Sequence, residues 1–141
     1  MTIQAVLLPL FVEVALTFAL LVWTGYVRVG TVRRGEVAVR DIALRQPNWP
    51  ANSTQLANAY ENQFELPVLF YVLTILAWIT RQADLVFVIL AWVFVVLRLL
   101  HAYIHVTSNH VSRRFAFFAA GTLVLALMWA IYIVRMLVFI V

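Results

Sequence analysis

No cysteine occurs among the 141 residues of this chain. A disulfide, a thiolate nucleophile and any Cys-ligated metal site are therefore excluded. Lysine is missing as well, since all ten basic residues are arginine. Charged residues of both signs make up 11% of the chain, against about a quarter in soluble domains. With so little charge the chain lacks the polar surface that a fold exposed to water needs. Three histidines are too few for a His-rich membrane di-iron enzyme. There is no internal repeat and no low-complexity tract. The net charge of +4 does not point to nucleic acid, because the arginines sit at or between apolar runs. Lipid headgroups and topology account for them there.

Apolar residues fill the chain instead, at 65%. Four runs are long enough to matter. They predict an all-α, integral membrane four-helix bundle, one domain over 1–141, with helices at about 3–27, 58–79, 85–109 and 115–141. A helix needs ~20 apolar residues to cross the hydrocarbon. The second run, apolar only from Phe64, falls short unless residues 58–63 face protein rather than lipid. Pro9 falls in the first turns of helix one, where proline is tolerated. The first run is too long, and lacks the basic flank, for a cleaved leader.

Loop charge predicts the orientation. The first loop carries Arg28, Arg33, Arg34, Arg40 and Arg45, and the third ends in Arg113 and Arg114. In the second loop Arg81 is opposed by Asp84. The first and third loops share a side in a four-span protein, so both are expected in the cytoplasm and both termini outside. The first loop also holds a cluster of turn formers, Gln46-Pro47-Asn48-Trp49-Pro50. It is expected to be ordered locally or to lie on the membrane surface.

Charges at membrane depth cost about 2.5–3.5 kcal/mol each, so each is a functional candidate. Glu13 and Arg135 fall at similar depth in the outer half, which predicts an ion pair, within one subunit or between two, that fixes helix packing. The cytoplasmic half carries more. Asn58, Glu61, Asn62 and Glu65 recur at helical spacing at the start of helix two. Arg98, His101, His105 and Asn109 do the same on helix three. The two stripes share a depth, so one polar cavity open to the cytoplasm is expected. Arg98 lies ~10 Å from the inner end of its helix, a strained reach for snorkelling. An Arg98–Glu65 pair that only fixes packing is the alternative to a binding role. His101 and His105 stand one turn apart, but with only Glu61 or Glu65 to complete a set no metal is assigned. Arg113 continues the Arg98 stripe on an ideal helix, whereas Arg114 does not. Clustered arginines favour carboxylate or phosphate, and the glutamates favour an ammonium group. A small zwitterion, anionic overall, fits both, with a lipophilic co-substrate arriving through the bilayer.

These residues resemble those of the MAPEG family, the membrane-associated proteins of eicosanoid and glutathione metabolism. The segment from Asn62 through Glu65 and Pro67 to Phe70 is similar to the family's Asn-x-x-Glu motif with its following proline and apolar run. Arg98, His101, His105 and Arg114 are similar to the spaced Arg, aromatic-or-His, Tyr and Arg of its glutathione-binding enzymes. The resemblance implies a homotrimer that binds glutathione as co-substrate between subunits near the cytoplasmic face. It implies a transferase or peroxidase acting on lipophilic electrophiles, or a non-catalytic protein of the same fold that binds another amphiphile or a protein. Asn62, Glu65, Arg98, His101 and His105 would bind glutathione, with Arg28 or Arg33 contributed by a neighbouring subunit. Arg113 or Arg114 would stabilise the thiolate. Spacing favours Arg114, and helix phase favours Arg113 unless the helix breaks after Asn109. Asn58, Leu66 and His105 depart from the family's Arg, Tyr and Tyr. The chain resembles a divergent prokaryotic branch, which implies a bacterial inner membrane with periplasmic termini.

Overall fold

The computed structural model describes residues 1–45 and 48–138. Gln46 and Pro47 of the expected turn cluster, and the expected last residues 139–141 of helix four, lie outside them. Among the described residues five α-helices form: α1 (Ile3–Arg33), α2 (Ala51–Glu61), α3 (Leu66–Ile79), α4 (Leu85–Val106) and α5 (Val111–Val138). With α2 and α3 taken as one run across Ala51–Ile79, four segments are long and apolar enough to cross a membrane. α4 is the hub, packed on α1, α2 and α5, while α3 packs on α1 and α5.

α1 starts at Thr2, whose hydroxyl accepts from the Ala5 amide. It stops at Gly35, which takes φ 70 and lets the Glu36 amide reach back to the Thr31 carbonyl. The helix is therefore longer than its expected 3–27. At 31 residues it measures ~46 Å, well beyond the ~30 Å hydrocarbon core. Leu16 and Leu20 pack beside Ala102 and Val106, so the last turns of α1 run past the end of α4. The start of α2 accompanies them. In the loop between, a 3-10 turn spans Val39–Ile42, and the Asn48 side chain donates to the Asp41 carbonyl at 2.6 Å.

The second expected helix, 58–79, is corrected in two ways. Its start moves back to Ala51, directly after Pro50, so the first loop is shorter than its polar composition suggests. It is also broken. A 3-10 turn at Asn62–Phe64 and a non-helical kink at Glu65 (φ −95, ψ −107) separate α2 from α3. Pro67, buried in the first turn of α3, lacks the amide that would continue the α2 ladder.

The apolar core lies towards the far end from the basic loops. Val6, Phe70, Leu73, Ala91, Phe94, Leu125 and Met128 meet there, and the Phe70 and Phe94 rings lie 4.8 Å apart. Elsewhere large apolar side chains face outward along every span, as Phe18, Leu69, Val96 and Leu123 do. In water this surface is prohibitive, and in lipid it is the solvent contact.

Candidate functional site

Asn62 and Glu65 of the α2–α3 kink, His101 and His105 of α4, and Arg114 of α5 line one pocket of about 290 Å³. Val111, Phe115 and Phe118 of α5 form its apolar side. The pocket lies at the basic end of the bundle. Its size is at the small end of the ~300–1,000 Å³ typical of ligand sites. The two imidazoles are buried and meet edge to face at 5.6 Å, and His101 also packs on Phe118 at 5.9 Å. Their Nδ1 atoms are buried without hydrogen-bond partners among the described residues. The Arg114 guanidinium, half-buried, donates to Asn109 Oδ1 at 2.5 Å.

The end of α4 decides between Arg113 and Arg114. The helix stops at Val106, short of the expected 109, and Asn109 adopts φ 49. The phase argument for Arg113 assumed an unbroken helix and fails for that reason. α5 restarts at Val111 on a new axis, which turns Arg114 to the pocket and leaves Arg113 exposed outside it. Gln55 supports this corner. Its amide donates to the His105 carbonyl at 2.8 Å and the Thr107 carbonyl at 3.2 Å, satisfying carbonyls that a helix end leaves free.

Arg98 is not in the pocket wall. It is 1% exposed, and its Nη2 donates to Asn62 Oδ1 at 2.5 Å and more weakly to the Asn62 carbonyl at 3.4 Å. Asn62 Nδ2 in turn donates to Glu65 Oε2 at 2.8 Å. Asn62 thus stands between Arg98 and Glu65, which do not pair directly within the chain. Behind Arg98 lies Glu13, 0% exposed, with Oε1 3.7 Å from Arg98 Nε.

Within the chain the expected Glu13–Arg135 pair does not form. Arg135 instead reaches Asp84 at 2.8 Å, at the loop end of α3 and α4. It stands ~36 Å along α5 from Val111, near the far end of that helix. Glu13 is level with Arg98 because α1 overshoots the bundle at the basic end. Depth measured from the ends of the apolar runs misplaced both. Asp84 also caps α4 by accepting from the Phe87 amide. Burial raises its carboxyl, but the Arg135 and Phe87 hydrogen bonds outweigh that and hold it below the usual carboxylate range.

The single cavity expected from both stripes is two. α2 ends at Glu61, and the 3-10 turn that begins at Asn62 parts Asn62 and Glu65 from Asn58 and Glu61. The latter pair lines a second cavity of about 500 Å³ beneath the first loop, where Arg45 binds Glu61 at 2.8 Å. Arg28 lines this second cavity, with its guanidinium 4.7 Å above the Trp49 ring, and Arg33 is exposed near the end of α1. Within one chain neither reaches the pocket holding His101.

Sequence reasoning missed the α5 wall, Gln55 and the true partner of Glu13. The wall was recoverable, since Val111, Phe115 and Phe118 keep helical spacing around Arg114. Gln55 had no signal, because its segment read as loop.

Neither the curated proteins nor the solved structures contain a match to this chain. The family model of the MAPEG family matches residues 6–134. With four spans built as above, and with the match covering nearly the whole sequence, the chain belongs to the MAPEG family and is an integral membrane protein.

Proposed function

We propose that the protein is a homotrimeric, glutathione-dependent transferase or peroxidase that acts on lipophilic electrophiles. One observation carries the reading: Asn62, Glu65, His101, His105 and Arg114 line a single pocket beside an apolar, lipid-accessible helix face. The donor set suits glutathione. Glu65 is an acceptor for its ammonium group, and Arg114 is a partner for a carboxylate or for the thiolate. The pocket is small for a tripeptide and open on one side, which supports completion by a neighbouring subunit. In that arrangement Arg28 or Arg33 would come from the α1 of the neighbouring subunit. The arginine-rich loops face the cytoplasm under the positive-inside rule, where glutathione is available.

In this reading Arg114 favours the charged sulfur and lowers the thiol's pKa. The sulfur attacks the electrophilic carbon, an S–C bond forms, and the leaving group departs with its electron pair. With a hydroperoxide the sulfur takes the terminal oxygen and the alcohol leaves. A second glutathione then forms the disulfide and releases water.

Titration of glutathione into detergent-solubilised protein, followed by thiolate absorbance, tests the reading. Binding in the millimolar range or tighter, weakened by Arg114→Ala, is expected. No binding at millimolar glutathione, with Arg114→Ala and Arg98→Ala changing nothing, would sink it. The burial of Arg98 behind Asn62 favours a second reading, a non-catalytic protein of the same fold that binds another amphiphile. Glutathione binding without turnover of any electrophile would select that one.

A further inference from the structure

Glu13 has no place in the pocket wall, yet it is fully buried at the same level as Arg98. Its closest approach to the guanidinium is 3.7 Å, beyond good hydrogen-bond reach. Both its oxygens, and Nε and Nη1 of Arg98, lack hydrogen-bond partners among the described residues. A buried pair contributes to stability only when its remaining donors and acceptors are satisfied, and here they are not. Stability is therefore a poor explanation for keeping it.

Geometry points elsewhere. Arg98 Nη2 donates to Asn62 Oδ1, which fixes the way the Asn62 amide faces. A flipped amide would set its NH2 against a guanidinium, donor against donor. Held this way, Nδ2 must point to Glu65, and it does. A chain of polar contacts thus runs from α1 to the pocket: Glu13, Arg98, Asn62, Glu65. Removing the first charge leaves Glu65, one amide away, as the carboxylate available to Arg98.

We propose that Glu13 is a positioning residue for the pocket: it holds Arg98 behind Asn62, so that Arg98 aims Asn62 and Asn62 aims Glu65. Its effect on ligand rests on the pocket's being the glutathione site, but its effect on Asn62 does not. Side-chain amide NMR of protein labelled with 15N-asparagine reads the latter without ligand. The Asn62 signal is assigned by its loss in Asn62→Ser. Glu13→Gln should move that signal while the other asparagine signals stay, and should weaken glutathione binding about tenfold, the lower end for loss of an orienting partner. A pair that only fixes packing would lower thermal stability and leave the Asn62 signal in place. That result, with unchanged glutathione affinity, overturns the proposal. If the wild-type protein binds no glutathione, the ligand reading fails and the Asn62 signal still decides this one. Should Glu13→Gln fail to fold, Glu13→Asp keeps the charge one methylene further from Arg98. A moved Asn62 signal there supports the proposal, and an unmoved one overturns it.

Discussion

Breaking the Glu13–Arg98 pair from each side, and then from both, tests the energetics of the bundle interior. Arg98→Met removes the guanidinium but keeps much of its length. It leaves the Glu13 carboxylate 0% exposed with no cation, and it deletes the bonds to Asn62. Removing one member of a buried pair costs ~3–5 kcal/mol in soluble proteins. In a membrane or micelle the unfolded chain also finds polar partners, which trims such differences. About 3 kcal/mol is therefore expected for Arg98→Met. Glu13→Leu should cost about as much, for the same reason, because it strands the guanidinium. The double variant Glu13→Leu/Arg98→Met puts apolar groups of similar volume in both places and is often near neutral. Its only definite loss is the charge-assisted bond to Asn62, worth ~1.5–3 kcal/mol. The double variant should thus be no less stable than either single one, and the two effects should fall short of their sum by several kcal/mol. The assay is reversible unfolding in mixed micelles with a denaturing detergent, monitored by helical circular dichroism. Additive losses within ~0.5 kcal/mol, as for independent sites, would refute the coupling and the account of Arg98 with it.

Three further outcomes follow from the geometry. Arg114→Ala should weaken glutathione binding or turnover by at least tenfold, whereas Arg113→Ala, outside the pocket, should change either less than twofold; steady-state kinetics with an aryl halide separates them. Asp84 has its carboxyl pKa held low, so its contribution is present above the ordinary carboxylate range and is lost as pH falls through its folded value. The pair is partly exposed and worth at most ~1 kcal/mol, so Asp84→Asn, which keeps a capping side chain, should lower Tm slightly near neutrality and not at acid pH. Gln55→Ala removes the bonds to the His105 and Thr107 carbonyls and should cost ~1 kcal/mol, with faster hydrogen exchange confined to the α4–α5 corner.

Much of the architecture is legible in the residues because lipid imposes simple rules. A backbone in hydrocarbon must bond to itself, so apolar runs of sufficient length become helices whatever packs beside them. The four spans, the polar face of α4 and the Asn-x-x-Glu segment follow from composition and spacing alone. Family membership followed from those same motifs. Pro50 and Pro67 mark the starts of α2 and α3, but the turn residues around Pro50 masked the first and the expected helix 58–79 ran through the second.

Which residues meet was decided by register and by breaks, and neither is a property of one segment. Glu13 and Arg98 pair because α1 slides past α4 by several turns, a shift set by packing Leu16 and Leu20 against Ala102 and Val106. Arg114 reaches the pocket because α4 ends at Val106 and the chain turns at Asn109 before α5 begins. Asn62 parts from Asn58 because α2 stops at Glu61 and a 3-10 turn takes over at Asn62. Periodicity states which residues share a face of a straight helix. It cannot state where that helix stops, or what stands at the same height on its neighbour. The absence of cysteine and the scarcity of charge thus determined that the chain lives in a membrane and has few chemical tools. Only the packed bundle decided which of those few tools stand together.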